Sequence, residues 1–206
     1  NGIFLTATDD GHPATGASPT RRLGFVATDG RDLASNVTDL PPGAEKLTAV
    51  ILPDTSIAEI VKIAADAAGD VELAVSAELA SFAAGRQTFT TKLVDGTYPD
   101  YGRVIPDNSR QMVADRDELA NAVARLRTLD DADNRMRIDL DTGLLKLSLV
   151  DVVRGEADES IEVEWNSEPL AIGMRSRGLL SVLEALQSDQ CALRFSDAST
   201  PVLIQP

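Results

Sequence analysis

The chain has 206 residues, a formal net charge of −14 from 33 acids against 19 bases, a 43% apolar composition and a single cysteine, Cys191. That length suits one large domain or two of about 100 residues, and the charge opposes polyanions at long range unless bases gather on one face. No apolar run approaches the roughly 18 residues of a membrane span, and one cysteine excludes an internal disulfide framework and fits a reducing compartment, so a cytoplasmic location is expected. No signal-peptide pattern opens the chain and its first residue is Asn, which leads us to expect a fragment or a trimmed chain.

In chain order, "GIFLTAT" from Gly2 reads as a strand, followed by a Gly/Pro/Ser/Thr-rich loop at 8–22 in which the lone histidine, His12, is solvated. "RLGFVATDGRDLAS", residues 22–35, alternates Leu23, Phe25 and Ala27 with polar residues and breaks at Asp29-Gly30, the pattern of a half-buried strand and a tight turn. A helix is predicted over 54–67 with Ile57, Val61 and Ala64 buried, then the strand "VELAV" at 71–75 and the stretch "QTFTTKLVDG". A Gly-, Pro- and Asp-rich connector, "LVDGTYPDYGRVIPDNSRQ", follows. Beyond it come a helix over 116–129 that buries Leu119, Val123 and Leu126, a helix over 176–188, and the strand "CALRF" at 191–195. Trp165 and the phenylalanines read as core or sheet-face residues.

Two stretches match at an offset of 122 residues, with "TAVILPDTSIAEIVKIAADA" from Thr48 lying over "LAIGMRSRGLLSVLEALQSD" from Leu170. Ile57, Ile60, Val61 and Ala64 fall on Leu179, Val182, Leu183 and Leu186, and Leu23, Phe25, Ala27 and Asp29 fall on Leu145, Leu147, Leu149 and Asp151. Agreement at one offset across two separate elements indicates two copies of one α+β unit. The copies differ at their ends. The first, residues 1–108, lacks the helix that opens the second, residues 109–206; the second lacks the final strand of the first. The expected fold is therefore α+β, in two copies of one unit.

"FVATDGRDLA", "ILPDTSIAEIVKI" and above all "TTKLVDGTYPDYGRVIP" resemble the bacterial DNA polymerase III beta subunit, the sliding clamp. "NGIFL", "GEADESIEVEW" and "LLSVLEAL" follow in the family order, so the resemblance covers the chain as a middle domain and a third domain. It implies like-folded domains in a ring of two chains closed head-to-tail around duplex DNA, with helices on one side lining the hole and antiparallel sheets on the other, and no catalysis or cofactor. It also implies a shallow cleft between two domains that captures short peptides of DNA polymerase and other clamp-binding proteins. Carried over by position, that cleft takes Thr28, Gly30, Arg31, Asp32 and Leu33 from the turn, and Pro99, Arg103 and Val104 from the connector. Its opposite walls take Met174, Arg175 and Gly178, and Ser199, Pro201 and Val202.

The chain departs from the family there. Arg31-Asp32 stands where His-Arg is usual, Arg175 and Gly178 replace an Asn and an aromatic residue, and the chain ends at Pro206 before the family's C-terminal tail. A plain hairpin turn is the competing reading of Thr28-Asp29-Gly30. Helical geometry turns Glu59, Lys62 and Asp66 outward on the first helix. It does the same for Asp117, Asn121, Arg125 and Thr128 on the second, and for Ser181, Glu184 and Ser188, with Arg177 near the start, on the third. Lys62, Asn121, Arg125 and Arg177 are the DNA-facing candidates; three bases among four acids predict a weak grip on phosphate.

Three functional classes compete. A processivity clamp is the leading expectation, and a clamp-like interaction module that no longer encircles DNA is the alternative. An enzyme finds no support, since the chain has no Gly-rich phosphate loop, no metal-spaced Cys/His set and no nucleophile–base pair. "DDADN" at 130–134 loosely resembles a calcium loop but lacks its Gly and distal Glu, and reads as a solvated turn.

Overall fold

A computed structural model describes residues 2–9, 21–129 and 135–206, so His12 and the "DDADN" segment lie outside the described residues. Two compact units, Asn1–Pro99 and Asp100–Pro206, share the connector 93–111. All named strand pairs are antiparallel.

The first unit runs β1 (Gly2–Asp9), β2 (Arg21–Thr28), β3 (Leu33–Asp39), β4 (Val50–Pro53), α1 (Ile57–Asp66), β5 (Glu72–Val75), β6 (Leu79–Ala84) and β7 (Gln87–Lys92). It forms two sheets, ordered β3-β2-β1-β4 and β5-β6-β7. The register sets Leu5 opposite Phe25 and Phe4 opposite Val26, so the two pairs lie on opposite faces. Both faces are covered. Leu5 and Leu23 are buried on one, while on the other Tyr98 stacks on Phe4 (4.6 Å, 9°) and Val26 is buried. The Tyr98 hydroxyl donates to the Val26 carbonyl at 3.3 Å. The alternation Leu23, Phe25, Ala27 therefore marks only one face, and Phe25 and Ala27 on it are half-buried. At Gly2 a Cβ would lie 2.3 Å from the Leu52 carbonyl oxygen, so the approach of β4 to β1 requires glycine there.

A 3-10 turn, Asp54–Ser56, leads into α1, and the Ser56 and Thr91 hydroxyls meet at 2.6 Å in a buried contact that ties the helix start to β7. From that anchor Ile60 and Ile63 follow at helical spacing. Ile63 is buried, and Ile57 and Ile60 pack on the cluster of Leu52, Ala80 and Phe82. The expected stripe of Ile57, Val61 and Ala64 is corrected accordingly. Val61 is 59% exposed and Ala64 is exposed, because Ile57, Ile60 and Ile63 take the buried face of the helix.

The second unit runs β8 (Arg110–Asp115), α2 (Arg116–Arg127), β9 (Arg135–Asp141), β10 (Leu144–Asp151), β11 (Gly155–Glu162), β12 (Leu170–Arg175), α3 (Ser176–Ala185), β13 (Gln190–Phe195) and β14 (Leu203–Gln205). Its sheets are ordered β11-β10-β9-β12 and β14-β13-β8. The Asp115 carboxylate accepts the Glu118 N–H at 2.8 Å and caps α2. Period-two burial is clean here: Met136, Ile138 and Leu140 on β9 and Leu145, Leu147 and Leu149 on β10 are buried. Leu119, Ala122, Val123 and Leu126 of α2 and Leu179, Leu180 and Leu183 of α3 join them, with Trp165 and Phe195 in edge-on contact at 5.8 Å. The expected α2 face is the observed one. On α3, Leu180 is buried and Val182 is 38% exposed.

Both units share the four-stranded order and the strand–helix–strand passage β4-α1-β5 and β12-α3-β13. The offset of 122 holds at Asp29 and Asp151 but becomes 120 at the helices, where Ser56, Ile60 and Ile63 match Ser176, Leu180 and Leu183 in burial. The second unit has two fewer residues between turn and helix, and a two-residue slip moves the α1 stripe by more than half a helical turn.

Two substitutions on one helix test this rotation. Ile63→Ala should destabilise the first unit by about 2–4 kcal/mol in urea unfolding. Val61→Ala should stay within about 0.5 kcal/mol; equal losses would restore the original face.

Candidate functional site

The β2–β3 turn consumes its own polar groups. The Thr28 hydroxyl accepts the Gly30 N–H at 3.1 Å and donates to the Asp32 carbonyl at 2.8 Å. The Asp29 carboxylate accepts the N–H groups of Arg31 and Asp32, each at 2.8 Å. Those two bonds hold the Asp29 carboxyl below the usual carboxylate range. Gly30 has φ +86°, a conformation that favours glycine. Thr28, Asp29 and Gly30 thus build the turn, and the exposed side chains of Arg31 and Asp32, with half-buried Leu33, are what it presents. Pro99 follows Tyr98, whose bond to Val26 tethers it to the strand that ends at Thr28.

In the second unit Arg103 and Val104 lie in a 3-10 turn, Tyr101–Val104, and Val104 is 62% exposed. Met174 and Arg175 end β12, and Gly178 lies in the first turn of α3. Ser199, Pro201 and Val202 lie between β13 and β14. Met174 and Val202 pack on the same core cluster. The Asn108 amide donates to the Pro201 carbonyl at 2.9 Å and to that of Arg194 at 2.8 Å. Asn108, in the stretch that follows Val104, is thereby joined to the loop of Ser199, Pro201 and Val202.

That loop is closed by Asp197, which accepts from the Ser199 N–H (2.7 Å), the Ser199 hydroxyl (2.7 Å) and the Thr200 N–H (2.9 Å). Its carboxyl is pulled down to about 2, led by the Ser199 hydroxyl and N–H. Sequence reading passed over Asp197 and Asn108. Asp-x-Ser-Thr is a legible turn signal, whereas the Asn108 acceptors lie 86 and 93 residues away and leave no local trace.

Lys62, Asn121, Arg125 and Arg177 are all exposed. Arg125 is nonetheless engaged: its Nε and Nη2 donate to the Glu159 carboxylate at 2.6 and 2.9 Å, a two-point pair. The guanidinium in turn holds Glu159 below the usual carboxylate range.

A carboxyl depressed in the folded state stabilises the loop above its unfolded value of about 3.9 and loses that contribution as pH falls through its folded value. A carboxylate NMR titration should place the Asp197 midpoint near 2, with the loop intact at about pH 4; a midpoint near 4 would show that the three bonds do not persist in solution.

Comparison with known proteins accords with this geometry. The family model described as the DNA polymerase III beta subunit, central domain, matches residues 17–100, and the one for its C-terminal domain matches residues 102–206. A beta sliding clamp of Caulobacter vibrioides is 34% identical over 99% of this chain and 54% of its own length. One of Pseudomonas aeruginosa is 34% identical over 88% of this chain and 50% of its own. The sliding clamp of Bartonella birtlesii, solved bound to griselimycin, superposes with a TM-score of 0.89 at 35% identity, covering 99% of this chain and 54% of that one. The Caulobacter crescentus clamp gives 0.91 at 33% identity, covering 100% and 54%. The chain spans about half the length of the curated relatives it matches. Two clamp-type units in the family's order, matched across nearly every residue, place the chain in the DNA polymerase III beta subunit family, the bacterial sliding clamps.

Proposed function

We propose that the protein is a processivity factor, a non-catalytic clamp that assembles as a ring and tethers a DNA polymerase to duplex DNA in the cytoplasm. The observation that carries this reading is the match of central and C-terminal clamp domains in succession, over 17–100 and 102–206. No helix among the described residues is long and apolar enough to cross a membrane. Partner segments would meet the Arg31–Leu33 tip and Pro99 on the first unit. On the second they would meet Arg103, Val104, Met174, Arg175, Gly178 and the Ser199–Val202 loop. Val104 is 62% exposed, and exposed apolar groups beside polar ones suit short extended peptides.

Two observations favour the alternative of a clamp-like interaction module. Asp32 puts an exposed anion on the turn, and Glu159 occupies the one DNA-facing arginine of α2. Lys62 shares α1 with Glu59 and Asp66, and Arg177 shares α3 with Glu184, in a chain of charge −14. Phosphate affinity needs cations that release counterions, and a closed ring needs little of it. A primer-extension assay with the whole protein separates the readings: longer products per binding event support the clamp, and unchanged product length supports the module.

The 206-residue chain should show no measurable binding to linear duplex at physiological salt in an anisotropy titration. Micromolar binding that weakens steeply with salt and is lost in Lys62→Glu would overturn the charge argument. Asp32→Arg should tighten binding of a short clamp-binding peptide about fivefold in calorimetry, as expected for one exposed charge contact of about 1 kcal/mol. Tight binding by the unaltered chain would show that Asp32 is no obstacle.

A further inference from the structure

Asn108 is one of the few buried polar side chains among the described residues, 6% exposed. Its two amide protons go to two carbonyls, Arg194 on β13 and Pro201 in the loop that leaves it. That pairing fixes the orientation of the amide, because turning it would set Oδ1 against both carbonyl oxygens. Oδ1 itself is buried without a partner.

The loop needs that anchor. Proline has no N–H, so at Pro201 the carbonyl is the only backbone hydrogen-bonding group through which the chain can be tied down. Asp197 closes the near end of the loop, and Asn108 grips the far end. Asn108 also lies four residues beyond Val104. One side chain thus ties the stretch that follows Arg103 and Val104 to the loop that carries Ser199, Pro201 and Val202.

We infer that Asn108 is a positioning residue for partner recognition, holding the Pro201 wall in register with the Arg103–Val104 turn through its paired bonds to the Arg194 and Pro201 carbonyls. The inference rests on the partner-surface reading above. Asn108 touches no partner itself; it acts through the loop. Asn108→Asp keeps the shape but removes both donors and faces two carbonyls with acceptor oxygens.

The test is calorimetry of the 206-residue chain with griselimycin, the compound bound by the Bartonella birtlesii clamp. Asn108→Asp should weaken binding at least about tenfold, as for a lost buried charge-free anchor of a contact wall, and speed amide exchange at Val202. Pro201→Ala should weaken binding less. The double variant should bind no worse than Asn108→Asp alone, since both changes disable the same wall. A merely structural role would make the two losses multiply, and that result would overturn the inference. So would wild-type affinity in Asn108→Asp while Pro201→Ala still weakens binding. If the unaltered chain fails to bind, or Pro201→Ala has no effect, the partner-surface reading falls and this inference with it. Should Asn108→Asp not fold, the neutral and smaller Asn108→Ser, which cannot donate to both carbonyls, takes its place in the cycle with the same outcomes.

Discussion

A tight turn must satisfy backbone N–H groups that no strand partner can reach, and this constraint organises the chain's presenting surfaces. Asp29, Asp151 and Asp197 meet it in the same way, each accepting the N–H groups two and three residues ahead. The carboxylate replaces the missing ladder partner with a charge-assisted bond at an exposed position. The turns can therefore stand exposed and still hold a shape. What they display is decided by the residues left over: Arg31 and Asp32 at the first, Val152 and Val153 at the second, Pro201 and Val202 beyond the third.

Behind these turns the two units are built on unequal cores. The second packs two helices, α2 and α3, with both its sheets around Trp165, Phe195 and the alternating leucines of β10. The first relies on one helix over Leu52, Ala80 and Phe82, with a hydroxyl pair, Ser56 and Thr91, at its start. Tyr98 adds a separate contact on Phe4. A smaller apolar contribution leaves more of the first unit's stability to such specific contacts.

Electrostatics constrain function more than fold. A charge of −14 favours solubility and disfavours anionic partners. Pairs such as Arg125–Glu159, Arg137–Asp139 and Lys146–Asp158 spend cations on neighbouring acids at the surface. Exposed pairs of this kind contribute little to stability; their larger effect is on what the surface can attract.

Much was legible in the residues themselves. Period-two and helical spacing located the hairpins and helices, Asp29-Gly30 announced its turn, the repeat announced two like units, and the connector motif carried the family. These features are local, or recur at a fixed spacing, so physics acting within about twenty residues writes them into the sequence. The rest depended on partners distant in the chain. The rotation of α1 is set where Ile57 and Ile60 pack on Ala80 and Phe82 of β6, beside the contact of Ser56 with Thr91, 35 residues apart. Arg125 is engaged by a carboxylate 34 residues on, so an arginine that helical geometry turned outward proved already paired. Asn108 gains its meaning only from carbonyls on β13 and the loop after it. Spacing along the chain is a sequence property, but which face a helix buries and which acceptor waits at the end of a side chain are settled only when the sheets assemble.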